Sequence, residues 1–247
     1  MNISIVLPAY NEQPNVERTV LRTIEVVRPL FERFEIIIVD DASTDGTLQI
    51  ARELALRHGE VRVIHNERNL GQGACQLLGF ARARYELITH NGMDYCFDFN
   101  DLPKMLDMMK GADVVCAART GRPGYTLYRR FISWVNRVLL RLLFPLRLSD
   151  YNFVQIYRKK VLDAINVRAR SAGFVMPEIL ISAHSMGFRV KETPIEYHRR
   201  EGGLASMGSP GVVLRSLLEL FGLWWRRPPA RRVQPLESAG KKTNCRN

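Results

Sequence analysis

The 247-residue chain contains no uninterrupted apolar run of the roughly 18 residues that a bilayer-spanning helix needs. That excludes a multi-span membrane protein. Cysteine is sparse. Cys75, Cys96, Cys116 and Cys245 form no CxxC pair and no metal-ligand spacing, so a disulfide scaffold is excluded and the thiols read as reduced, in a cytosolic protein. No GxGxxG follows the first apolar strand, and no GxxxxGK[ST] occurs anywhere. These absences argue against a dinucleotide oxidoreductase and a P-loop enzyme. No basic stretch leads into an apolar N-terminal core, so no secretory signal is expected. What is present is ordinary for a globular protein: 46% apolar and 25% charged residues. The length suits one α/β domain with a small appendage.

Charge is unevenly placed. Residues 1–118 hold 12 Lys+Arg against 17 Asp+Glu, a net of −5; residues 119–247 hold 24 against 8, a net of +16. The acidic half suits a metal ion. The basic half suits phosphates, an anionic membrane surface or nucleic acid. No nucleic-acid-binding motif accompanies the charge, so no nucleic-acid partner is expected.

Along the first half, short apolar runs alternate with helical spacing. Strands are expected at 3–7, 35–39, 61–64, 87–89 and 113–117. Helices are expected at about 13–33, from Asp45 onward, from the glycine turn at 71–73 to about 84, and at 101–110. This alternation implies mostly parallel strands with right-handed crossovers. Ligands then gather at the carboxyl ends of the strands, in the loops 8–12, 40–46 and 90–98. In the second half, an Arg-studded amphipathic helix spans 128–148 and breaks at Pro145. Strands are expected at 152–157 and 189–192, and helices at 174–186 and 209–225. The tail beyond Arg226 is rich in Pro, Arg, Ser and Lys and reads as disordered.

Two loops carry carboxylates at strand ends. The first strand runs into Pro8-Ala9-Tyr10-Asn11-Glu12, and the second into Asp40-Asp41-Ala42-Ser43-Thr44-Asp45-Gly46. A carboxylate so placed accepts hydrogen bonds from a base or a ribose, although turn chemistry alone also accounts for Asp45-Gly46. Taken together, "SIVLPAYNE" and "EIIIVDDASTDGT" resemble the family 2 glycosyltransferases. The stretch "NERNLGQGACQLLGFARARYELI" fits the helix motif of that family, with Asn69, Gly71, Ala74 and Gly79. The resemblance covers roughly residues 2–206. The second half is most similar to dolichol-phosphate mannose synthases and other polyprenyl-phosphate glycosyltransferases, through "YRRFISWVNRVLLRLL", "YNFVQIYRKKVL", "FVMPEIL" and "GFRVKETPIEYHRREGGLAS".

The resemblance implies a GT-A fold: an α/β, Rossmann-like nucleotide-sugar-binding domain with a mostly parallel sheet flanked by helices, plus a C-terminal amphipathic helix. It divides the chain into a catalytic domain over 1–206 (donor half 1–118, acceptor half 119–206), a helix over 207–227 and a basic tail over 228–247. It implies sugar transfer from a nucleoside-diphosphate sugar to a polyprenyl phosphate with inversion, dependent on Mg²⁺ or Mn²⁺. Pro8, Tyr10, Glu12, Asp40, Asp41, Gly71, Gly73 and Asn91 match the donor pocket. The metal-binding D-x-D of the family falls on Gly92-Met93-Asp94, so only its second carboxylate survives, as Asp94. One carboxylate plus the donor's phosphates still suffices for a hard cation, helped by Asn91 or Asp98. His90 and Cys96 do not make a common zinc spacing.

For the acceptor, the resemblance matches Arg119, Arg129, Arg200 and Ser206 to phosphate contacts, with Arg129 and Arg200 also assigned to the reaction centre. Asp150 stands where the family pattern D-x-x-S-G-F slips by one. Glu178 stands where many relatives place a catalytic base. A hydroxyl acceptor needs that base; a phosphate monoester, already ionised near neutral pH, does not. Both acceptor classes, polyprenyl phosphate and a hydroxyl of a glycan or small metabolite, therefore stay open, beside a nucleotide-sugar-binding protein that has lost catalysis with the first D-x-D carboxylate. Residues 128–148 and 212–227 carry apolar faces flanked by Trp and Arg. These suit an interfacial helix pair at the inner face of the membrane, or packing on the domain itself, on a membrane-protein partner or on a second copy.

Overall fold

The computed structural model describes residues 1–95, 97–121, 126–196 and 210–226, apart from the side chains of residues 129 and 210. Cys96, Arg200, Gly203, Ser206 and the 228–247 tail lie outside the described residues. A seven-stranded sheet has the order β3-β2-β1-β4-β6-β5-β7. Its strands are β1 (Asn2–Ala9), β2 (Arg33–Asp40), β3 (Val61–His65), β4 (Leu87–His90), β5 (Val114–Arg119), β6 (Gln155–Arg158) and β7 (Val190–Ile195). All pairings are parallel except those of β6, which runs antiparallel to both β4 and β5.

Alternation along the strands sorts side chains onto two cores. Ile3, Ile5 and Leu7 join α1 (Val16–Val27), α2 (Thr47–Arg57) and α4 (Leu102–Met109) on one face. Val6, Ile37 and Val39 join α3 (Gln72–Arg82), α5 (Leu127–Leu143) and α7 (Val175–Ser185) on the other, together with Leu220 of α8 (Pro210–Trp225). Both faces are covered, which is why β1 and β2 read as continuous Ile/Val/Leu runs. Helix α3 crosses β1 so closely that a Cβ at Gly79 would lie 2.3 Å from Val6 Cγ1. That contact explains the glycine.

All seven expected strands form. The 13–33 helix is shorter than its apolar spacing suggested: it ends at Val27, because Pro29 has no N–H to carry the helical ladder on. The short α6 (Lys159–Ala164) had no clear signal. Helix α5 ends at Leu143, two residues before Pro145, where the pre-proline restriction forbids further helix.

Helices α5 and α8 are the outliers of the solvent surface. Leu127, Tyr128, Phe131, Trp134 and Leu142 are exposed on α5; Leu214, Leu218, Phe221, Trp224 and Trp225 are exposed on α8. Phe131 and Trp134 stack on each other at 6.2 Å between ring centroids. Among the described residues no helix is long and apolar enough to cross a membrane.

Candidate active site

The parallel strands β2, β1 and β4 bring three loops together at their carboxyl ends. Each loop holds one non-glycine residue in the left-handed region: Asn11 (φ 53°), Ala42 (φ 59°) and Tyr95 (φ 49°). Among the described non-glycine residues these are the ones with positive φ. Such backbone costs about 1–2 kcal/mol at a residue like Ala, and strain of this kind clusters at functional sites. The loops are laced to one another. Asn11 N donates to Ser43 Oγ (3.0 Å), Thr44 N to Asn11 Oδ1 (2.8 Å) and Glu12 N to Thr47 Oγ1 (2.8 Å). Asp45 accepts from the Thr47 amide and hydroxyl at the start of α2. Burial alone would raise its pKa, but these hydrogen bonds outweigh burial and hold it below the usual value.

The adjacent carboxylates Asp40 and Asp41 do different things. Asp41 is spent inside the protein. Its Oδ1 accepts from Asn66 Nδ2 (2.9 Å) and Leu70 N (2.8 Å), and its Oδ2 from Gly71 N (2.8 Å). It thereby shapes the 66–71 loop and sets the start of α3, where Gly71 takes φ 86°. Asp40 ends β2 and is fully buried. Its Oδ2 accepts from His65 Nδ1 (2.8 Å) and Ser43 N (3.3 Å), while Oδ1 finds no partner among the described residues. A buried carboxylate oxygen without a donor is costly, and a ligand N–H or O–H relieves that cost.

The other sequence-predicted donor residues divide similarly. Pro8 and Glu12 are half-buried and Tyr10 is exposed at the rim. Glu12 accepts from Asn15 Nδ2 at 2.7 Å. Asn91 is buried and turned inward. Its Nδ2 donates to Phe97 O and its Oδ1 accepts from Gly92 N, so it braces the loop instead of presenting its amide to a ligand. Gly73 is demanded by packing, because a Cβ there would meet Arg170 O at 2.5 Å.

Asp94 is half-buried, and its Oδ1 lies 2.5 Å from where a Cβ of residue 92 would be. The carboxylate thus folds over the glycine that replaces the first D-x-D carboxylate. Asp98 is engaged with Arg22 (3.0 Å) and with Asn100. Among the described residues no three His, Cys, Asp or Glu groups gather as a metal site. A single hard carboxylate fits an oxygen-seeking Mg²⁺ or Mn²⁺ whose remaining ligands are substrate phosphates and water; it does not fit a closed zinc cage. His90 is likewise no ligand. It is buried between Gln155 Oε1 (2.8 Å) and Gln76 Nε2 (3.2 Å). Burial pushes its pKa down to about 4, against a raising effect of the Gln155 bond.

In the acceptor half, Arg119 is not a free phosphate anchor. Its guanidinium forms a bidentate pair with Asp150 (Nε–Oδ2 2.5 Å, Nη2–Oδ1 2.9 Å) and lies over the Phe153 ring at 5.1 Å. Both partners are less than a tenth exposed. Arg129 sits in the first turn of α5, its side chain outside the described residues; Arg200 and Ser206 lie outside them entirely. Glu178, in the first turn of α7, is buried. Its Oε2 accepts from Arg168 N (3.2 Å) and Ala169 N (2.6 Å). Sequence reasoning missed Glu219 of α8, which grips the same segment. It accepts from Arg170 N (3.0 Å) and bonds the Ser171 side chain. It also missed His65, which carried no motif signal.

The glycosyl transferase family 2 model matches residues 4–169. The chain belongs to that family. A dodecaprenyl-phosphate galacturonate synthase from Rhizobium johnstonii is 29% identical over 236 residues, covering 93% of this chain and 69% of that protein. An undecaprenyl-phosphate 4-deoxy-4-formamido-L-arabinose transferase from Edwardsiella ictaluri is 30% identical over 210 residues, covering 83% and 63%. This family 2 chain therefore spans about two thirds of the length of such relatives. Its fold is GT-A. A Pyrobaculum calidifontis mannosyltransferase, solved with GDP-Man and Mn²⁺, superimposes with a TM-score of 0.65 at 17% identity, over 93% of this chain and 65% of that one. Glucosyl-3-phosphoglycerate synthase from Mycobacterium tuberculosis, solved with Mn²⁺, UDP and phosphoglyceric acid, gives 0.67 at 19% identity, over 90% and 78%.

Proposed function

We propose that this family 2 chain is an inverting hexosyltransferase that moves a sugar from a nucleoside-diphosphate sugar to a polyprenyl phosphate. The relatives named for dodecaprenyl and undecaprenyl phosphate support that acceptor class. The observation that carries the choice of acceptor is the engagement of Glu178. The residue that would serve a hydroxyl acceptor as base is buried and holds two backbone amides. An acceptor phosphate brings its own ionised oxygen and needs no such base.

In this reading residues 1–118 bind the donor and 119–206 receive the acceptor. Asp40 takes an N–H of the base through its unpartnered oxygen, with Tyr10 and Pro8 at the rim. The acceptor oxygen attacks the anomeric carbon from the face opposite the diphosphate. The new C–O bond forms as the bond to the β-phosphate breaks, and the nucleoside diphosphate leaves. Asp94 would hold a divalent cation, Mg²⁺ or Mn²⁺, which when bound would supply positive charge against that developing on the leaving group. Arg129 and Arg200 are assigned to the acceptor phosphate, for which a guanidinium is a charged donor.

The exposed apolar faces of α5 and α8, interleaved with Arg130, Arg141, Arg215 and Arg226, support docking on an anionic membrane surface at its cytoplasmic face. The buried free thiols of Cys75 and Cys116 suit a reducing compartment. The decisive experiment is a transfer assay with a short-chain polyprenyl phosphate and a panel of UDP- and GDP-sugars, with Mg²⁺ or Mn²⁺. Product is expected as a glycosyl polyprenyl phosphate. Transfer to free hydroxyl acceptors alone would overturn the assignment, and turnover with no donor would favour a binding protein.

A further inference from the structure

His65 is the residue at the donor site with no assigned part. It closes β3 and stands directly opposite Asp40 in the parallel ladder, so the register delivers its ring to that carboxylate. Nδ1 lies 2.8 Å from Asp40 Oδ2, and the imidazole is 37% exposed while Asp40 is fully covered. The Ser43 amide adds a second donor to the same oxygen at 3.3 Å. Among the described residues the donors to Asp40 thus fall on one oxygen, and Oδ1 is left with none.

We propose that His65 is a positioning and specificity-determining residue: by occupying Oδ2 it makes Asp40 a single-acceptor site that selects a base with one N–H between two carbonyls, a uracil-type edge, over guanine. The chemistry follows from counting lone pairs and donors. The guanine edge presents N1–H beside N2–H₂, a pair of donors that needs both oxygens of a carboxylate. Uracil presents N3–H alone, which needs one. A polar site that leaves a ligand donor without its acceptor discriminates strongly against that ligand. His65 also fixes the rotation of the carboxylate, so that Oδ1 is aimed before the base arrives. The inference rests on the nucleotide-sugar reading above and deepens it by naming the base class.

The test is calorimetric titration of UDP and of GDP, each with Mg²⁺, into the full chain and its variants. The parent protein is expected to bind UDP at least about tenfold more tightly than GDP, the discrimination set by one charge-assisted hydrogen bond. His65→Leu removes the donor to Oδ2 and should lose about tenfold in UDP affinity, with the UDP-to-GDP ratio falling toward one. His65→Gln keeps a polar, half-exposed side chain but places its amide beyond Oδ2, and should show the same loss if His65→Leu does not fold. His65→Asn, whose amide N–H can stand in for Nδ1, should restore the ratio. In an Asp40→Asn background, His65→Leu should change nothing further. Unchanged affinities and ratio in folded His65→Leu or His65→Gln would overturn the proposal while leaving the nucleotide-sugar reading intact, as would a parent protein that prefers GDP. Failure of the parent protein to bind either nucleotide would overturn both.

Discussion

Replacing Glu178 separates the two acceptor chemistries, because its two possible roles leave different marks. In the structure the carboxylate is buried and its Oε2 holds the amides of Arg168 and Ala169. Glu178→Ala would leave both donors buried without a partner, at about 1–3 kcal/mol each. A loss near 4 kcal/mol in a chain of this size lowers the melting temperature by roughly 8–16 °C. Glu178→Gln keeps an acceptor oxygen in place and loses only the charge assistance, about 1 kcal/mol, or a few degrees. If Glu178 were instead a base, Glu178→Gln would melt almost normally and lose about 10²–10⁴ in rate. The assay is paired: thermal melts beside single-turnover transfer to a short polyprenyl phosphate. The expected pattern is a rate within a fewfold of the parent for Glu178→Gln and a marked melting loss for Glu178→Ala. A folded Glu178→Gln slowed a hundredfold or more would refute the phosphate-acceptor reasoning.

Asp94→Ala should lower kcat by on the order of 10²–10³, several kcal/mol of lost leaving-group stabilisation, with far-UV circular dichroism unchanged; full activity of the parent protein in excess EDTA would sink the metal assignment. Stability should also fall as the solution is acidified through the His90 window. The folded pKa of His90 is near 4 and its ordinary value 6.5, so the unfolded chain binds the proton first. The neutral imidazole's contribution is complete above about pH 6.5 and is lost as pH drops toward 4, about 3 kcal/mol across the window. Denaturant melts of the parent protein should show that slope, and His90→Gln should flatten it. Flotation with anionic vesicles should recover the protein at low salt and lose it at high salt, since each basic residue near the surface contributes roughly 1 kcal/mol. Phe131→Ser combined with Trp225→Ser should weaken recovery at all salt concentrations, and equal recovery of this variant would argue that α5 and α8 cover something other than lipid.

The fold was legible because its signal is repeated along the chain. Five apolar runs in the first half, separated by helical periodicity, point to a covered, mostly parallel sheet, and the two loops after β1 and β2 then have to meet. The antiparallel insertion of β6 was not legible, since a four-residue strand reads the same in either direction. The end of α1 was in the sequence and was overrun: apolar spacing continues through Leu30 and Phe31, but Pro29 breaks the helical ladder after Val27.

The site was legible as a place and not as a set of duties. Sequence puts Asp40, Asp41, Asn91, Asp94, Arg119 and Glu178 in the loops and helix ends that face a ligand, and it cannot say which of them the protein spends on itself. Backbone and side-chain donors decide that for Asp41, Asn91 and Glu178, and those on Asp41 and Glu178 come from residues well apart in sequence, which no motif spacing encodes. Arg119 and Asp150 are 31 residues apart and meet only because β5 and the loop before β6 are sheet neighbours. Once these groups are subtracted, the buried polar atoms left without a partner at the strand ends, among the described residues, are Asp40 Oδ1 and the Tyr95 hydroxyl, and of the two only Asp40 brings a carboxylate. A carboxylate already satisfied gains little from a ligand, whereas a buried and unpartnered oxygen gains a full charge-assisted hydrogen bond. In the proposed reading the donor site is therefore marked by the hydrogen bonds at the end of β2, and the part given to His65 is visible only once β2 and β3 are paired.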